Sequence, residues 1–118
     1  MKDLIKEFQW AEETNCAITV SAKDGTLLYM NKKSVEINAK PGENLIGKNM
    51  LDCHNDRSKA IIAHLIETGG VNAYTITKKG QKKMIYQTAW KKDGEVMGLV
   101  EISMVIPEDM PHYNRDQQ

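Results

Sequence analysis

Apolar positions recur at helical spacing at the start of the chain. Leu4, Ile5, Phe8 and Ala11 fall on one side of residues 2 to 14 with Lys and Glu on the other, which predicts an amphipathic helix whose apolar face needs a partner. The period then shortens to two. Residues 17 to 21 and 26 to 30 flank Asp24-Gly25, a hairpin signal, so the first two strands are expected to be antiparallel. Asn31 can cap a short helix through Asn38, which Lys40-Pro41-Gly42 stops. Residues 44 to 55 mix Leu45, Ile46, Met50 and Leu51 with polar groups and predict short helical turns. Asn55 or Asp56 caps the clearest helix, residues 57 to 68. Its Ile61, Ile62, Leu65 and Ile66 form one apolar stripe that should lie on a sheet before Gly69-Gly70 ends it.

Three strands follow, at 71 to 77, 82 to 91 and 95 to 106, joined by Lys79-Gly80 and Asp93-Gly94 turns. The middle one alternates Met84, Tyr86, Thr88 and Trp90 against Lys83, Ile85, Gln87 and Ala89. The last carries apolar residues on both faces, Val96, Val100 and Ile102 against Met97, Leu99 and Val105, so it is expected to be the central strand. The order gives an α+β fold, a five-stranded antiparallel sheet with helices on one face and an N-terminal amphipathic helix. Residues 1 to 16 form a docking or dimerisation helix, 17 to 106 the domain, and 107 to 118 a polar, proline-containing tail expected to be irregular.

Length and charge narrow the function. A chain of 118 residues makes one domain and leaves no room for a catalytic output module as well. Its 16 basic and 16 acidic residues balance, which argues against nucleic acid as a partner, since phosphate neutralisation needs a basic surplus. Lys78, Lys79, Lys82, Lys83, Lys91 and Lys92 read as lysines that solubilise hairpin ends and block edge pairing. No apolar run approaches the roughly 20 residues that cross a bilayer, and Asp3 stands where a signal peptide would begin its apolar stretch, so no membrane is expected and a cytoplasmic location is. Two cysteines, Cys16 and Cys53, do not make a disulfide scaffold. No GxSxG, Walker, HExxH or CxxC motif is present, and Cys53 beside His54 lacks an orienting third group, so the chain is not read as an enzyme.

The run Gly25-Thr26-Leu27-Leu28-Tyr29-Met30-Asn31, followed by Leu45-Ile46-Gly47-Lys48-Asn49-Met50-Leu51-Asp52 ahead of the long helix, resembles the PAS domain over residues 17 to 106. Cys53-His54 with Ser58, and the ending through Ile106-Pro107 and Met110-Pro111-His112, look like a small prokaryotic subgroup found alone or attached to hemerythrin-like domains. The resemblance implies a sensory, signal-transducing module that binds a small ligand or partner protein, usually as a dimer, and signals to an effector in another chain or domain. Fold likeness does not choose among such roles, and a ligand-free dimerisation or scaffold domain is the alternative.

The candidate ligand-binding residues are Cys53, His54 and Ser58 at the entrance to the long helix, with Tyr86, Thr88 and Trp90 on the sheet, whose buried polar atoms would need partners. Leu4, Ile5 and Phe8 are the candidate docking or dimer residues. No structural metal site is expected, because adjacent Cys53 and His54 rarely point at one ion. Haem-binding PAS domains carry their proximal His near the start of the long helix; the position that aligns with it here is Ser58, and His54 lies about one turn earlier, so a haem-based gas or redox sensor with His54 as axial ligand ranks only as a second alternative. The cofactor is otherwise unknown. A flavin adduct is not expected, since Met50 stands where the light-sensing motif has its reactive cysteine. His64 reads as a boundary residue at the edge of the helical stripe, and His112 as solvated.

Overall fold

The computed structural model describes residues 9–53 and 55–116. Its elements run α1 (Gln9–Glu12), β1 (Ala17–Ala22), β2 (Leu27–Met30), α2 (Lys32–Asn38), a 3-10 turn (Met50–Cys53), α3 (Asp56–Thr68), β3 (Val71–Lys78), β4 (Gln81–Lys92) and β5 (Glu95–Val105). The five strands form one sheet in the order β2-β1-β5-β4-β3, every neighbouring pair antiparallel. The expected α+β architecture is therefore present, and β5 is central as its two apolar faces predicted. Of the N-terminal helix only Gln9–Glu12 is described; Leu4, Ile5 and Phe8 lie outside the described residues.

Local chemistry sets the element ends. Asn31 and Asn55 cap α2 and α3, their side chains accepting from the backbone N–H groups of Ser34 and Ser58. Gly69 closes α3 in the left-handed region at φ 70°, with its N–H on the Leu65 carbonyl. Lys79-Gly80 and Asp93-Gly94 have positive φ at both residues, the twist that a two-residue hairpin requires.

The two faces of the sheet are distinct. On the inner face Ile62 and Leu65 of α3 press on Leu99 of β5, with Met50, Leu51 and Ile66 around them. Burial of each large aliphatic side chain contributes about 1.5–3 kcal/mol. Ile61, expected in the same stripe, is 37% exposed, because the contact with the sheet is narrower than the stripe. On the outer face Ala11 of α1 packs with Ile18 and Tyr29, joined by Val20, Val100 and Ile102. A bulge at Leu28 serves both sides: Ser21 opposes Leu27 and Thr19 opposes Met30, while Val20 opposes Tyr29. The extra residue, Leu28, sets Leu27 on the inner face together with Met30, while Tyr29 stays outward opposite Val20.

Asn31 ties the layers together. Its side chain is fully buried; Oδ1 accepts from the N–H of Ile18 at 2.9 Å and of Ser34 at 3.0 Å, and Nδ2 donates to the carbonyls of Ala11 at 2.8 Å and Cys16 at 2.9 Å. One amide thus joins α1, the α1–β1 connection, β1 and α2.

Candidate functional site

A cavity of about 420 Å³ lies between the inner face of the sheet and the segment from α2 to α3. Leu27, Met30, Leu45, Met50, Ile62 and Leu99 give it apolar walls. Its polar lining comes from the strands, Thr19 and Ser21 of β1, Gln87 of β4 and Glu101 of β5, and from Asn38, Lys48 and Asn49 on the covering segment. The register places Gln87 opposite Glu101, with Ser21 opposite Leu99 and Thr19 opposite Glu101, so these side chains share one stretch of the inner face.

The polar groups are not equally satisfied. The Thr19 hydroxyl pairs with that of Ser34, itself fully buried. Asn72 Nδ2 donates to Gln87 Oε1 at 3.0 Å, and Gln87 Nε2 donates to Glu101 Oε1 at 2.8 Å. This relay runs one way and ends on a carboxylate, which is an acceptor when ionised. Among the described residues no cation pairs with Glu101. Ser21 is 1% exposed, and its hydroxyl has no hydrogen-bond partner. A buried hydroxyl left unpaired costs about 1–3 kcal/mol, so in a cavity wall it marks a place for an incoming polar atom.

The cavity continues into two open clefts. Gln87 also borders one lined by Asn55, Arg57, Ser58, Ile61, Asn72 and Tyr74, and Glu101 borders another that includes Tyr74, Lys78 and Lys83. The Tyr74 hydroxyl is held above the usual phenol range, first by partial burial and then by the negative charge of Glu101. That places the ring and the carboxylate within electrostatic reach.

The structure sorts the sequence candidates. Ser58 is brought to the cleft beside Gln87. Cys53 ends the 3-10 turn ahead of α3, and His54 lies outside the described residues. Tyr86, Thr88 and Trp90 require a correction. They oppose Ile102, Val100 and Gly98 and so stand on the outer face, while their alternates Ile85, Gln87 and Ala89 face the helices. The Trp90 indole N–H finds its partner in the Ser21 carbonyl at 2.9 Å, and Gly98 makes this possible: a Cβ there would overlap both the carbonyl and the indole. Thr88 Oγ1 meets the adjacent Ala89 carbonyl at 3.3 Å, and Tyr86 is 37% exposed. His64 and His112 are exposed, as expected of a boundary and a tail residue. Among the described residues no three His, Cys, Asp or Glu side chains gather as a metal site, and no helix is long and apolar enough to cross a membrane.

Ser21, Gln87 and Glu101 are the residues that pattern reading passed over. The signal available was a Gln among apolar alternates on β4 and a Glu amid the central strand, both unusual in a half-buried sheet.

No protein-family model matches the chain, and no curated protein does. Solved structures do. The PAS domain of histidine kinase ThkA superposes with a TM-score of 0.61 at 19% identity, over 77% of this chain and 99% of that one. The PAS domain of a Colwellia psychrerythraea protein gives 0.63 at 17% identity, over 88% and 97%. The chain has the PAS fold. VqmA bound to DPO is also similar, at a TM-score of 0.69 and 14% identity, over 88% of this chain and 58% of that one. At these identities the PAS likeness is one of architecture, and the cleft residues must be argued from their own chemistry.

Proposed function

We propose that this PAS-fold chain is a non-catalytic sensory module that binds a small molecule in the inner cavity and reports to another chain or domain. The observation that carries the reading is the unpaired, buried hydroxyl of Ser21 in the wall of a 420 Å³ cavity with apolar sides. Ligand pockets have this size and this mixture, a mainly apolar lining with a few polar groups. VqmA, of similar fold, is bound to DPO in one of its structures, which supports a ligand-binding reading.

Ser21 also supplies a route to the other face. Its hydroxyl lines the cavity while its carbonyl accepts from Trp90 on the outer face, where α1 packs. A ligand that binds one position of β1 better than another shifts that outer surface by the same free energy. The reader of that surface would be a second copy through Leu4, Ile5 and Phe8, or an effector domain; exposed Val71 and Tyr86 on the outer face leave apolar area for it. Cys53-His54 and the Met110-Pro111-His112 ending support a likeness to the small prokaryotic subgroup found alone or attached to hemerythrin-like domains.

Native mass spectrometry and absorption of the protein purified from its own host test the reading. A bound small-molecule mass that Ser21→Ala weakens supports it. Haem absorbance would favour the haem sensor, and an empty protein whose cavity amides respond to no small molecule would favour the scaffold alternative.

A further inference from the structure

Resting on the reading of the inner cavity as a ligand site, we propose that its ligand carries a positively charged nitrogen group, received by Glu101 at the polar end of an apolar cavity. The donors already present converge on the carboxylate and stop there: Asn72 donates to Gln87, and Gln87 to Glu101 Oε1. This fixes one oxygen, and among the described residues no donor pairs with Oε2 of this carboxylate in the cavity lining. A half-buried carboxylate without a cation is an electrostatic deficit that a cationic ligand group removes, and a charge-assisted hydrogen bond there is worth more than a neutral one.

A polar neighbour in the lining agrees on sign. Asn38, beside Glu101 in the cavity lining, spends its Nδ2 on the Ser34 carbonyl and hydroxyl, so what it can offer a ligand is the acceptor Oδ1. Ser21 can accept or donate. Tyr74 shares a cleft with Glu101 next to the cavity. Lys48 lines the same cavity but is exposed, Lys78 and Lys83 share a cleft with Glu101, and Arg57 lies in the cleft that Gln87 borders, yet none of them pairs with Glu101. An anionic ligand at this end of the cavity would meet the carboxylate and the Asn38 oxygen together, with the exposed Lys48 as the cation in the lining.

Three probes of one shape separate the possibilities: tyramine (cation), 4-ethylphenol (neutral) and 4-hydroxyphenylacetate (anion), titrated into ¹⁵N-labelled full chain and read at the amides of Ser21, Gln87, Leu99 and Glu101. The expected result is tyramine binding at least tenfold tighter than 4-hydroxyphenylacetate, with 4-ethylphenol between them. In Glu101→Gln, whose amide oxygen can still accept from Gln87, the tyramine preference should fall below threefold while 4-ethylphenol binding persists. Equal binding of all three, or tighter binding of the anion, overturns the inference on ligand charge and leaves the cavity reading standing. No shift at these amides with any probe overturns both. If Glu101→Gln does not fold, the ranking on the wild-type chain decides alone.

Discussion

Replacing Asn31 should cost this domain a large share of its stability, and the structure allows the cost to be built up bond by bond. In Asn31→Ala the N–H of Ser34 loses its cap, about 1 kcal/mol. The N–H of Ile18, buried in β1, loses its acceptor and adds about 1–3 kcal/mol. The Ala11 and Cys16 carbonyls lose a donor each, about 0.5 kcal/mol apiece because carbonyls tolerate this better. The expected loss is about 3–5 kcal/mol against a typical 5–15 kcal/mol for a whole domain. Urea unfolding followed by circular dichroism reads it as a drop in midpoint at unchanged slope. Asn31→Asp sharpens the test. It keeps the two acceptances but sets a second oxygen against the Ala11 and Cys16 carbonyls. It should therefore be destabilised at pH 7 and recover part of the loss, relative to wild type, toward pH 4, where a protonated Oδ2 can donate. A loss below about 1 kcal/mol in Asn31→Ala, or an Asp variant with no relative recovery in acid, would refute the account of Asn31 as a four-way tie.

The remaining expectations are shorter. Ser21→Ala removes a hydroxyl that has no partner, so unfolding free energy should stay within about 0.5 kcal/mol of wild type or rise; a drop above about 1.5 kcal/mol would mean that the hydroxyl is paired in the free protein. Gly98→Ala drives a Cβ into the Ser21 carbonyl and the Trp90 indole, and should cost at least about 2 kcal/mol in chemical denaturation, with a shift in Trp fluorescence; unchanged stability would contradict the β1–β5 packing. Tyr29 is held above the usual phenol range by burial, by donating its hydroxyl to Glu12 at 2.8 Å and by the Glu12 charge. Because its folded pKa lies above the unfolded value near 10, its contribution is complete below that pH and is lost as pH rises through the folded value. Unfolding titrations between pH 8 and 11 should show a steeper decline for wild type than for Tyr29→Phe; parallel declines would remove Tyr29 as the cause.

Much of the architecture is legible in the chain because it rests on short-range chemistry. The caps Asn31 and Asn55, the glycine stop at Gly69, the two-residue turns and the two-sided apolar pattern of β5 are each set by residues within a few positions of the feature. What stays hidden depends on partners far along the sequence. Asn31 is readable as a cap for Ser34 three residues on, whereas its bonds to Ala11, Cys16 and Ile18 span 20, 15 and 13 residues. The bulge at Leu28, which sets both Leu27 and Met30 inward, follows from pairing with β1 rather than from any turn residue in β2.

Which face of β4 meets the helices stays hidden for a related reason. Alternation separates the side chains of a strand into two sets but does not say which set meets the helices. On β4 the set Tyr86, Thr88 and Trp90 looks richer in chemistry than Ile85, Gln87 and Ala89, yet the first needs only backbone and half-open surroundings to satisfy its polar atoms. Gln87 is different: it is 5% exposed and can be satisfied only by side chains on the flanking strands, Asn72 of β3 and Glu101 of β5. A buried amide in mid-sheet therefore demands partners of its own kind at the same level of the neighbouring strands, and the sequence holds both. The feature that locates an inner polar cluster is thus a Gln or Asn whose cross-strand neighbours are also polar. By that measure Asn72, Gln87 and Glu101 point inward together and place the chemistry of the sheet under α3.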